Sequence, residues 1–102
     1  RELLAAAFDA VARLIAQDDP KAAARLLGAS QRVVEELRVR RTPTESAIRD
    51  RTLETLRSAL GAPSMREAYE EGSSLEVDEL YAPTLRLLRE RAASPDAVQY
   101  RP

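Results

Sequence analysis

The sequence predicts an all-α protein of about five antiparallel helices, and three observations carry that expectation. Apolar residues recur at three- and four-residue spacing along most of the chain. Residues that start and stop helices stand between the periodic stretches. No useful length alternates with period two, and neither Asn-Gly nor Asp-Gly occurs to close a hairpin. At 102 residues, 44% hydrophobic and 32% charged, the chain has room for one domain. That domain is expected over residues 1–94, with 95–102 a loosely held tail.

The first helix is expected over about 2–17, with Leu4, Phe8, Val11 and Ile15 on one face and Leu3, Ala7, Ala10 and Leu14 beside them. So wide an apolar stripe is normally covered on two sides. Asp19-Pro20 restarts the chain, Asp as N-cap and Pro at the first helical position, where a missing N–H costs nothing. The second helix, about 20–40, carries Ala23, Leu26, Leu27, Ser30, Val33, Val34 and Leu37 inward. Gly28 inside it costs about 1 kcal/mol relative to Ala, which close approach of a neighbouring helix would compensate. Thr42-Pro43-Thr44-Glu45 is a capping box with Pro at the first helical position. It opens a third helix over about 43–60, with Ile48, Thr52, Leu53, Leu56 and Leu60 inside and Gly61 as a left-handed C-cap. Ser64 and Glu67 suggest another capping box for a short helix, about 65–71, that buries Met65, Ala68 and Tyr69 and stops at Gly72. A last helical region, about 75–93, carries Val77, Leu80, Tyr81, Leu85, Leu88 and Ala92 on its face. Pro83 is expected to break or kink it.

Composition removes several function classes. With no His and no Cys there is no Ser-His-Asp or Cys-His catalysis, no zinc site with nitrogen or sulfur ligands, and no disulfide. Lys21 is the only lysine, and Gly28, Gly61 and Gly72 stand alone, so no Ser-x-x-Lys pair and no phosphate-cradling loop exists. Neighbouring acids (Asp18/Asp19, Glu35/Glu36, Glu70/Glu71, Asp78/Glu79) point about 100° apart on a helix and make no facing carboxylate pair. They read instead as solvated charges, with Asp18/Asp19 and Asp78/Glu79 complementing helix starts. No catalytic residue, cofactor or metal ligand is expected. Sixteen basic residues against 17 acidic, net charge −1, give no basic footprint for nucleic acid. Arg38, Arg40 and Arg41, and again Arg86, Arg89 and Arg91, fall near helix C-termini, where cations complement the dipole. Asp9–Arg13, Glu36–Arg40 and Glu45–Arg49 have the spacing of exposed i,i+4 ion pairs. No apolar run is long enough to span a membrane or act as a secretory signal. Absent cysteine is compatible with the cytoplasm.

Two stretches occur together: Asp19-Pro20-Lys21-Ala22-Ala23-Ala24-Arg25-Leu26-Leu27-Gly28-Ala29, and Leu56-Arg57-Ser58-Ala59-Leu60-Gly61 followed by Met65, Tyr69, Gly72, Leu75 and Asp78-Glu79. In this order they resemble the C-terminal end of the tetratricopeptide-like helical region of large bacterial signal-transduction ATPases, the LuxR- and SARP-type transcriptional regulators and their adenylate-cyclase-like relatives. The resemblance covers about residues 1–82, and the Ala-Ala-Arg-Leu-Leu-Gly run is its more specific part. The family usually has Phe near Met65 and Trp near Tyr69, and a Ser or Thr where Glu76 stands here. The resemblance implies a scaffold that senses a partner or inducer and restrains an ATPase lying elsewhere in the parent chain, with no catalytic residue in this segment.

The expected function is therefore a non-catalytic helical-repeat interaction or regulatory module, a piece of a longer polypeptide. Its partners would be adjacent repeats of the parent chain or another subunit, without membrane and without nucleic-acid contact through this segment. Each hairpin of such an array relies on stacked neighbours to bury its apolar face. Leu3, Leu4, Ala7, Phe8 and Leu14 are the expected interaction surface, through which the isolated fragment could also form a homodimer. Two alternatives stand beside this reading: a DNA-binding domain of a transcription factor, and a stand-alone bundle holding a small apolar ligand among Leu27, Val34, Leu56 and Leu60.

Overall fold

A computed structural model describes residues 2–93, apart from the side chains of Glu2, Leu3, Val77 and Tyr81. Five helices follow one another: α1 (Glu2–Ile15), α2 (Pro20–Leu37), α3 (Pro43–Leu60), α4 (Ala62–Ser74) and α5 (Val77–Ala92). Every described residue outside them is a turn, bend or connection, and the fold is all-α. The expected tail, 95–102, lies outside the described residues.

The caps that set the frame are those the sequence announces. The Asp19 carboxylate accepts the Ala22 amide at 3.1 Å, with Pro20 in the first turn. Thr42 Oγ1 accepts the Glu45 amide at 3.1 Å, and the Glu45 carboxylate accepts the Thr42 amide at 2.7 Å. These bonds to Thr42, backbone first, hold the exposed Glu45 carboxyl below the usual carboxylate range, and the neighbouring Arg41 adds to the effect. A depressed folded-state value stabilises the fold above the unfolded pKa and ceases to do so as pH falls through the folded one. Glu45→Ala should therefore be less stable than the parent near pH 7, and urea titrations should show the gap closing as pH drops below the ordinary glutamate range.

Several boundaries differ from expectation: α1 stops at Ile15 rather than near 17, and α5 starts at Val77 rather than near 75. α2 ends at Leu37, three residues early, because Arg38 turns into the left-handed region (φ 57°) and sends its amide and that of Val39 back to Glu35 and Val34. α4 is longer than expected at both ends. Gly61 (φ 83°, ψ 152°) is extended in ψ rather than left-handed helical, and it turns the chain directly into Ala62-Pro63. Pro63 sits in the first turn, where it needs no N–H, so Ser64 falls inside the helix instead of capping it. At the other end α4 passes Gly72 and stops at Ser74. α5 runs through Pro83 without interruption. Thr84 Oγ1 donates to the Leu80 carbonyl at 2.6 Å one turn back, which lets that hydroxyl be buried. The inward face of α5 is accordingly Leu80, Thr84 and Leu87, rotated from the expected Leu80, Leu85, Leu88 and Ala92.

α2 is the hub. It packs along α1 on one side and crosses α4 on the other, burying Ala23, Ala24, Leu26, Leu27, Ala29 and Val33. One continuous core joins all of these but Val33 to Phe8, Ala12 and Ile15 of α1, Ala16 just after it, Leu56 of α3, Ala68 of α4 and Leu80 of α5. The close approach expected at Gly28 is present: a Cβ there would lie 1.9 Å from the Tyr69 carbonyl oxygen. Gly72 does the same from the opposite helix, its Cβ position 1.9 Å from the Arg25 carbonyl oxygen. The two glycines thus let the α2 and α4 backbones touch, and Gly72 is a contact residue rather than a stop signal. Around this crossing Arg25 bonds Glu71 at 2.9 Å, and Arg32 donates to the Ser73 carbonyl at 3.1 Å near the end of α4.

Candidate functional site: a groove that ends at a buried arginine knot

Among the described residues, α1, α3 and α5 leave an open groove of about 1380 Å³ between them. Its apolar lining is Ala6, Ala10, Leu14 and Ile15 from α1, Ile48 from α3 and Leu87 from α5. Leu14 is 50% exposed, and among the described residues only Leu37 is comparably exposed for a large hydrophobic side chain. Arg13 and Glu90 lie on the α1 and α5 walls, and Arg51, Thr52 and Thr55 on α3. The distal end is held by Arg91 on α5, which donates to Asp18 at 2.5 Å.

At the opposite end a polar cluster joins four helices. Arg49 of α3 is 7% exposed, and its guanidinium donates to the Leu27 carbonyl (3.2 Å), Tyr69 Oη (2.5 Å) and Asp9 Oδ1 (3.3 Å). Arg41, in the α2–α3 connection, folds inward over the same carboxylate, donating to Asp9 Oδ2 at 2.9 Å, Gln31 Oε1 at 2.7 Å and Ser30 Oγ at 2.8 Å. The Ser30 hydroxyl in turn donates a hydrogen bond to the Ala5 carbonyl at 3.1 Å. One carboxylate thus serves two guanidiniums, each of which is further satisfied by neutral oxygens. Burial pulls the Arg49 pKa below its usual value, opposed by Tyr69 and by Asp9. So high a starting value leaves the group cationic at neutral pH.

The structure overturns the ion pairing expected from spacing. Asp9 turns to Arg41 and Arg49 instead of Arg13, Glu36 stands 3.3 Å from Arg32 instead of pairing with Arg40, and Glu45 caps α3 instead of pairing with Arg49. Exposed i,i+4 pairs are worth only a few tenths of a kcal/mol, so a tertiary partner displaces the one expected at Asp9 and a cap the one at Glu45, whereas Glu36 turns back one turn to Arg32 because α2 ends before Arg40. No local signal in the sequence joins residues 9, 41, 49 and 69, because their separations follow no helical period.

The expected interaction residues do not share one surface. Leu14 and Ala7 are exposed, Leu4 is partly buried, and the Leu3 side chain lies outside the described residues. Phe8, 4% exposed, belongs to the core, buried within the chain itself. Nor do Leu27, Val34, Leu56 and Leu60 enclose a ligand cavity. Leu27 and Leu56 are fully buried in the core, while Val34 lines a separate small cavity of about 140 Å³ with Ala5, Val39 and Arg41. Of the two arginine groups, Arg41 is drawn inside and Arg91 is ion-paired. No described helix is long and apolar enough to cross a membrane. Comparison with protein-family models, curated proteins and solved structures found no match for the chain.

Proposed function

We propose that this chain is a non-catalytic helical interaction module, acting in the cytoplasm as the closing part of a tetratricopeptide-like array in a bacterial signalling regulator with an ATPase elsewhere. The observation that carries the interaction reading is the groove itself: three helices stand apart around a concavity of mixed polar and apolar lining, with a half-exposed leucine in its wall. A large apolar side chain left half exposed within a concavity is the kind of surface that interaction sites use. The array context is supported by where the resembling residues sit. Arg25, Gly28, Tyr69 and Gly72 all belong to the α2–α4 crossing, so those stretches meet in space as stacked repeat helices must.

A photo-crosslinking side chain at position 14, in the full-length parent protein inside the cells that make it, tests the reading. Crosslinks to another segment or another polypeptide should form at position 14 and be absent at the exposed Ser58, which lies outside the groove. Equal yields at the two positions would remove the proposal.

A further inference from the structure

We infer that the end of α2 is a two-position latch: Arg41 seated beside Asp9 holds α2 short at Leu37, and with Arg41 released α2 continues as helix to Arg40. The latch stands on the polar knot and the α2–α3 connection, independently of any occupant of the groove.

The first observation is strain. Arg38 has φ 57°, and among the described residues it is the only one besides glycine in the left-handed region. A side chain there crowds its own backbone, so glycine or asparagine ordinarily fills such a position at a helix end. Nothing in the sequence calls for the stop. Residues 38–41 hold no glycine or proline, and Pro43 with its restricted neighbour Thr42 is the first barrier. Arginines at 38, 40 and 41 would complement the carbonyl end of a longer helix, and Arg40 would stand one turn from Glu36.

The second observation is what holds the strained turn. Arg41 reaches back to donate to Gln31 Oε1 and Ser30 Oγ, ten and eleven residues earlier on α2 itself, and to Asp9 Oδ2 on α1. A helix running unbroken to 41 would carry that residue about 15 Å along the axis from Gln31, well beyond the length of an arginine side chain. The seated guanidinium and the longer helix therefore exclude each other, as two discrete arrangements rather than a range. The seated segment is loosely packed: Val39, Arg40 and Arg41 border the cavity of about 140 Å³, against Ala5, Ala6 and Val34. The amides of Arg40 and Arg41 make no backbone hydrogen bond among the described residues. The longer helix would pair them with the Glu36 and Leu37 carbonyls.

The latch ties α1 to the length of α2. Asp9 keeps Arg49 as a partner when Arg41 leaves, so release does not strand its carboxylate. A shift of α1 that draws Asp9 away from Arg41 favours the longer helix, and by reciprocity lengthening α2 loosens α1.

Backbone chemical shifts and amide exchange of the isotope-labelled chain test it. In the parent, Arg38 should show left-handed shifts, and the amides of Arg40 and Arg41 should exchange rapidly. In Arg41→Ala, residues 38–40 should take the Cα shifts of a helix, and the amides at 40 and 41 should slow by roughly tenfold. Gln31→Ala leaves the Asp9–Arg41 pair in place and should move the same resonances part of the way, so the outcome does not depend on Arg41→Ala folding. Adding Arg38→Gly to Arg41→Ala should return α2 to its short form, because glycine takes a positive φ without crowding and weakens a helix. If Arg41 had a structural role alone, its loss would lower stability and leave residues 38–40 as they are or without structure. Either result would overturn the latch, as would a parent chain in which residues 38–40 are already helical.

Discussion

Gly28→Ala and Gly72→Ala should each destabilise the protein by about 3 kcal/mol or more, lowering the thermal midpoint by roughly 12 °C or more. The sign is the informative part. Alanine in place of glycine inside an unobstructed helix stabilises by about 1 kcal/mol. Here the added methyl would fall 1.9 Å from a main-chain carbonyl oxygen of the facing helix, Tyr69 for position 28 and Arg25 for position 72. Neither obstacle is a side chain that can rotate away, so α2 and α4 must separate, and the contacts of Leu26, Leu27 and Ala68 loosen with them. Because both substitutions demand the same separation, their costs should not add. The double variant should fall short of the sum by more than about 0.5 kcal/mol in urea denaturation. Stability equal to or above the parent's for either single variant would mean that the two backbones do not touch at this crossing.

The second large effect is expected at Asp9. Asp9→Ala should cost about 3–5 kcal/mol, because it leaves the two inward guanidiniums of Arg41 and Arg49 without a counter-charge. Arg49→Met should cost less, about 2 kcal/mol. It leaves Tyr69 Oη and the Leu27 carbonyl short of a donor but keeps Asp9 paired with Arg41 at 2.9 Å. The exposed Arg91–Asp18 pair gives the contrast: Arg91→Ala should change stability by less than about 1 kcal/mol, and salt should weaken that small effect. Urea titrations of the three variants at two salt concentrations measure all of this. If Asp9→Ala cost no more than Arg91→Ala, the knot would carry no structural role.

These two predictions rest on different kinds of legibility. Gly28 stood out in the sequence as a costly residue inside a periodic helix, and a close neighbour was the physical reason to expect it. Gly72 carried the same property but resembled a terminator, since glycine after a helical stretch serves both purposes. The buried arginine knot left no trace that local reasoning could follow. Arg41 looked like one of three cations at a helix end, and Arg49 like half of an exposed pair with Glu45.

The groove was half legible. The width of the apolar stripe on α1 indicated a second neighbour, and Leu14 does face open space on the groove side. Phe8 shows where that reasoning ended. Two adjacent rows on one helix look alike in sequence, and only tertiary packing separates the row that is covered from the row that is left open.

What the amino-acid order determined was local: five helices, the caps at Asp19 and Thr42, the acids opening α5, and which residues were apolar enough to bury. Each depends on neighbours within about four positions, where helical geometry fixes who meets whom. The tertiary structure decided which glycine meets which carbonyl, which arginine loses water, how α5 is rotated about its axis, and where three helices fail to close. Those outcomes follow from volume and charge summed over elements distant in sequence, and no periodicity records them.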